Sequence, residues 1–137
     1  MLECLILGDS IAVGTKMVSP KHCVSYSHGG WNSQHWNNVY LHTKQLDANT
    51  VVISLGSNDT RYLNTEKELR KLRKEITAKR VIWIVPAIKP AKQAIVKKIA
   101  SENNDITVTI KSLSKDGVHP TFTGYRQIAK DAGLKGN

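Results

Sequence analysis

Ser10, Asn58, Asp116 and His119 are the side chains whose types and order in this sequence could carry out acyl chemistry. They sit in three short segments spread over almost the whole chain: Gly8-Asp9-Ser10, Gly56-Ser57-Asn58-Asp59 and Asp116-Gly117-Val118-His119-Pro120. A serine hydroxyl becomes a nucleophile when an imidazole takes its proton, and a carboxylate three residues before the histidine can reach back across a tight turn to hold the ring. On this reading Ser10 attacks, His119 accepts its proton and later returns it to the leaving group, and Asp116 sets the tautomer and stabilises the imidazolium. The Asn58 carboxamide is a neutral donor able to hold the oxygen of a tetrahedral intermediate. Taken singly, each segment also reads as ordinary structure, because Ser and Asp cap helices and Gly, Ser, Asn and Asp make turns. It is their order, and their position directly after apolar runs, that favours chemistry.

Those apolar runs are the elements that must position the site. Five of them, at residues 4–7, 23–26, 50–55, 80–85 and 106–110, alternate with segments of helical character, which predicts a βα repeat. The third and fourth are nearly continuous β-branched and apolar stretches, as expected of central strands covered on both faces, so the sheet should be parallel. Helices are predicted from about Ile11, over residues 33–46, over 66–79 with Thr65 and Glu68 spaced as a capping box, from Pro90 onward, and over 123–132 with Gly133 placed to end the last. A nucleophile directly after the first strand lies at the carboxyl edge of such a sheet, where open α/β folds bind ligands. Gly8 allows a sharp turn there, and the first amides of the following helix would face a developing oxyanion.

These three segments resemble motifs of the SGNH (GDSL-type) hydrolases, and the resemblance runs from Leu5 to about Ala132. Gly8-Asp9-Ser10-Ile11 is similar to the first block of that family, with Ile11 in place of the more usual leucine. Gly56-Ser57-Asn58-Asp59 is similar to its third block, and Asp116 with His119 to the Asp-x-x-His of its fifth. The resemblance implies a flavodoxin-like three-layer α/β/α sandwich on a five-stranded parallel sheet, formed by residues 1–137 as a single domain. It implies a Ser10, His119 and Asp116 triad, with oxyanion donors from the Ser10 amide, the Asn58 side chain and a glycine amide of the second block. That second block departs from the family pattern. Aligning Gly29-Gly30-Trp31-Asn32-Ser33 with a Ser-Gly-x-Thr-Ser-like stretch puts Gly30 at the donor position, with Gly29 as the other candidate. Trp31 beside it, together with Asp9, is the candidate for contact with substrate. Trp31 and Trp36 could offer an apolar platform to a sugar or acyl group, although aromatics at such spacing more often face a core. The chain is short for the family, which implies trimmed loops and no deep acyl tunnel.

Composition narrows the function classes less sharply. The chain has 137 residues, 40% of them hydrophobic and 23% charged, with no run near the ~20 apolar residues that span a bilayer, so no integral membrane contact is expected. An acidic Glu3 stands where a signal peptide would be basic, which favours a cytoplasmic protein, one exported by another route, or one carried in a virus particle. Cys4 and Cys23 fall in two predicted core strands, where free cysteine commonly packs as a small hydrophobe; a disulfide between them is possible but unsupported by the sequence. The formal charge of +9 would attract an anionic substrate or surface, but much of it lies at helical spacing on predicted outer faces, so no specific nucleic acid is expected. His22, His28, His35 and His42 lack acidic or cysteine ligands at zinc-like spacing, so no metal and no other cofactor is expected.

The expected activity is therefore hydrolysis of short-chain, most plausibly acetyl, esters on a carbohydrate through an acyl-enzyme. Only neutral imidazole can accept the Ser10 proton, so kcat/KM should rise as His119 deprotonates. A lysophospholipase or thioesterase on the same fold, or a carbohydrate-binding module without catalysis, are the alternatives. The oligomeric state is open.

Overall fold

Residues 1–134 are described in the computed structural model of the chain. Five βα units follow one another: β1 (Leu2–Gly8), α1 (Ser10–Met17), β2 (Val24–Ser27), α2 (Ser33–Tyr40), β3 (Asp47–Ser54), α3 (Thr65–Lys74), β4 (Thr77–Val85), α4 (Pro90–Glu102), β5 (Ile106–Thr109) and α5 (Phe122–Asp131). All neighbouring strands pair in parallel, in the order β2-β1-β3-β4-β5. Alternation along the strands divides the core between the two faces of the sheet. Leu5, Leu7, Val51, Ile53, Val81 and Trp83 face α2, α3 and α4, which contribute Trp36, Leu69, Leu72, Val96 and Ile99. On the opposite face Cys4, Ile6, Val52, Ile82, Ile84 and Val108 meet Ile11 and Ala12 of α1 and Ile128, Ala129 and Ala132 of α5. The result is the expected three-layer α/β/α sandwich, and it brings the carboxyl end of every strand to one edge.

Two helices stop earlier than their apolar spacing predicts. α2 ends at Tyr40 rather than near Leu46, and the Thr43 hydroxyl donates to the Val39 carbonyl at 2.8 Å, back-bonding that competes with helix continuation. α3 ends at Lys74 because Thr77 and Ala78 pair with Asp47 and Ala48, so ladder formation overrides the helical pattern. Leu46 and Ile76 are buried all the same, as connecting residues.

The predicted capping box at Thr65 and Glu68 does not form. Asn64 caps α3, its side chain accepting from the Lys67 amide at 3.1 Å. Thr65 donates to Asp59 instead, and Glu68 accepts from Asn37 of α2. The cysteines also depart from expectation. Cys4 of β1 and Cys23, one residue before β2, form a disulfide with Cα atoms 4.5 Å apart, because these adjacent parallel strands bring them side by side at the end of the sheet away from the predicted site.

Candidate active site

Each functional segment leaves the carboxyl edge of the sheet at a different strand, so the fold converges what the sequence disperses. Gly8 closes β1 with φ +138°, and a β-carbon there would stand 1.8 Å from the Ser54 carbonyl oxygen of β3, so only glycine fits. Asp9 follows as the N-cap of α1, which makes Ser10 the first residue of the helix.

Across the edge, the β5–α5 connection carries Asp116 and His119. Leu113 bridges to Pro120, and the Ser114 amide donates to the His119 carbonyl at 2.8 Å, folding residues 113–120 into a closed loop. Inside it, Gly117 takes φ +71° and the Asp116 Oδ1 accepts the amides of Val118 and His119 at 2.8 and 2.9 Å. The other oxygen, Oδ2, accepts from His119 Nδ1 at 2.6 Å, and His119 Nε2 lies 2.8 Å from Ser10 Oγ. The structure thus brings Ser10, His119 and Asp116 into one hydrogen-bonded chain. Those amides, with the ring itself, hold the Asp116 carboxyl well below the usual carboxylate range, so it stays an anion facing the imidazole. The His119 and Asp116 side chains are about half exposed, which leaves them on an open edge. A groove of about 1140 Å³ runs between the end of α1 and α5, but none of the predicted site residues lines it.

Asp9 is placed differently from the expected substrate contact. Its side chain is fully buried, accepting from the Ile11 amide and the Ser54 hydroxyl, both at 3.0 Å, while Oδ2 has no partner. Burial pushes its carboxyl up to about 6, against the lowering effect of Ser54 and the Ile11 amide. With no exposed surface, the Asp9 side chain faces the interior and not the solvent side expected of a substrate contact.

Asn58 leaves β3 in the loop 56–60, and its Nδ2 donates to the Trp31 carbonyl at 3.0 Å. One amide hydrogen is used there, and the amide has a second to donate. The two second-block glycines differ in setting: a β-carbon on Gly29 would lie 3.8 Å from Ser10 Cβ, whereas Gly30 has φ +81° and open space around it. The Trp31 ring is half-buried, stacked on His28 with centroids 4.6 Å apart, edge-on to His35 at 4.5 Å and tilted on Tyr40. Trp36 is wholly buried, with its indole nitrogen donating to the Tyr26 carbonyl, so it belongs to the core and offers no platform.

Sequence reasoning missed the groups that hold these segments still. Buried Asp59 accepts from the Ser33 amide and hydroxyl at 2.8 and 2.6 Å and from the Thr65 hydroxyl at 2.6 Å, pinning the starts of α2 and α3 to the Asn58 loop. Its place beside Asn58 was the only signal.

Among solved structures, the chain is similar to the C-terminal catalytic domain of Streptococcus pneumoniae peptidoglycan O-acetyltransferase A, determined with a methylsulfonyl adduct. The match has a TM-score of 0.61 and 16% identity, and covers 98% of each chain. The two chains share a fold, a five-stranded parallel sheet with helices on both faces. No protein-family model matches, and no curated protein matches significantly by sequence. The likeness to that domain therefore rests on the course of the backbone over nearly the full chain.

Proposed function

We propose that this protein is a serine acyl-ester enzyme whose acyl group, most plausibly acetyl, is carried on Ser10 and whose natural substrate is a carbohydrate ester. The observation that carries the reading is the continuous Ser10–His119–Asp116 hydrogen-bonded chain at the carboxyl edge of the sheet. In the first half-reaction His119 Nε2 takes the Ser10 proton as Oγ bonds to the ester carbonyl carbon. The carbonyl oxygen gathers charge, with the Asn58 amide, the Ser10 amide and Gly30 or Gly29 as its donors. Collapse expels the alcohol, which receives its proton from His119, and leaves the acyl-enzyme. In the second half-reaction His119 activates the acceptor in the same way, and Ser10 Oγ leaves with the returned proton. Asp116, kept anionic by its backbone donors, stabilises the imidazolium in both halves.

With water as acceptor the enzyme is an esterase. A sugar hydroxyl as acceptor makes it a transferase, a second reading favoured by the O-acetyltransferase domain that shares its backbone. The test is release of p-nitrophenol from acetate, butyrate and octanoate esters by wild type and Ser10→Ala, both checked for folding by circular dichroism. Turnover by wild type alone, greatest with acetate, is the expected result. Adding a chito-oligosaccharide and weighing the products separates transfer from hydrolysis. Two folded, inactive proteins that also fail to label with a sulfonyl fluoride would overturn the reading in favour of a binding module.

A further inference from the structure

Lys89 is an improbable residue for its position. It is the N-cap of α4, with φ 64° and ψ 81°, and it makes no side-chain cap. Three local preferences are violated at once. A side chain with a β-carbon in the left-handed region is strained, Ser, Thr, Asp or Asn is preferred at an N-cap, and a cation at a helix amino terminus opposes the helix dipole. Strained backbone that persists is held by its surroundings, and the direction of inference runs from the outlier to a use.

The use is visible at the other end of the side chain. The half-buried ammonium donates to the carbonyl of Ser57 at 2.8 Å and to that of Asp59 at 3.0 Å. These carbonyls flank Asn58. One turn along α4, the ammonium of Lys92 reaches the Thr60 carbonyl at 3.4 Å from a side chain that is itself buried. The β4–α4 junction therefore straps the loop between β3 and α3 from below, while Asp59 anchors it laterally to Ser33 and Thr65 and Trp31 holds the Asn58 amide itself.

We propose that Lys89 is a positioning residue that fixes the Asn58 carboxamide where the oxyanion forms. The inference rests on the acyl-transfer reading, since Asn58 needs a fixed position only if charge develops against it. A donor contributes to catalysis through its preorganisation, so a donor whose loop can drift loses much of the ~100- to 1,000-fold that complete removal costs. The strain at Lys89 is maintained by the two charge-assisted bonds it makes possible.

The decisive variant is Lys89→Gly, which removes the ammonium and relieves the backbone strain together. Relief of the left-handed backbone offsets part of the stability lost with the two bonds, so activity should fall far more than stability, which a purely structural lysine would not produce. The expected result is an unfolding midpoint within a few degrees of wild type, kcat on p-nitrophenyl acetate lowered about 10- to 100-fold, and KM within about twofold. The pH profile should keep its shape, because Asp116 and His119 are untouched. Affinity for a boronic acid that mimics the tetrahedral intermediate should fall in step with kcat, and Lys89→Arg, which can still donate to both carbonyls, should recover most of the turnover. The Asn58 side-chain amide resonance should shift or broaden in Lys89→Gly. An unchanged resonance overturns the strap whether or not the protein turns over esters, and a changed resonance with undiminished kcat overturns its catalytic use. Inactivity of the wild type, by contrast, removes the function proposed above together with that use.

Discussion

Asp9→Asn isolates the cost of burying a carboxylate beneath the nucleophile. The Asp9 side chain is wholly buried, its carboxyl is raised from 3.8 to about 6, and one of its oxygens has no partner. A raised carboxyl binds its proton more tightly in the folded chain, so the stability it contributes is present below about pH 3.8 and is lost as pH rises through about 6. The shift of 6 − 3.8 = 2.2 corresponds to about 3 kcal/mol, and linkage places about 2 kcal/mol of it between about pH 4.5 and 7. The amide of the variant has nearly the same shape, can still accept from Ile11 and Ser54, and does not titrate. Whatever it costs to bury is independent of pH. The difference in unfolding free energy, variant minus wild type, should therefore climb by about 2 kcal/mol across that window. Contributions from Asp116 and the surface charges cancel between the two proteins. Urea unfolding followed by circular dichroism at four pH values measures it, provided the m-values agree. A difference that stays flat within about 0.5 kcal/mol, or that falls as pH rises, refutes the argument that burial dominates at Asp9.

Removing the Asp59 carboxylate strands the Ser33 amide, the Ser33 hydroxyl and the Thr65 hydroxyl together, so Asp59→Ala should lose about 3 kcal/mol or more of stability. A loss below about 1 kcal/mol by urea titration would contradict the role assigned to it. Gly8→Ala would put a β-carbon against the Ser54 carbonyl at a φ that only glycine tolerates, and should yield little folded protein. Soluble Gly8→Ala with a Tm near wild type would be the contrary outcome.

Legibility in the sequence followed how local each determinant is. β3 and β4 announce themselves as continuous apolar runs, and Asp116 and His119 as a carboxylate and ring closed over one turn, so both could be read without knowledge of the fold. Thr65 and Glu68 have the spacing of a capping box, yet their partners are Asp59 and Asn37 from other elements, and no local rule sees those. The same holds for Cys4 and Cys23, whose pairing depends on β1 and β2 being neighbours. Asp9 was visible as a residue but not as a buried one, because burial beneath Ser54 comes from the third strand. Lys89 was invisible altogether. Its left-handed backbone contradicts what lysine prefers, and the carbonyls it serves lie about thirty residues earlier in the chain.

The hydrogen bond between Ser10 and His119 joins residues 109 positions apart, and its two halves belong to the first and the last βα units. This has a consequence in time. A polypeptide emerging from the ribosome presents Ser10 well before it presents His119. Until β5 and α5 have docked on the sheet, Ser10 has no imidazole beside it and is an ordinary alcohol. On the function proposed above, activity waits for the fifth βα unit, and the first turnover reports that all five units have docked.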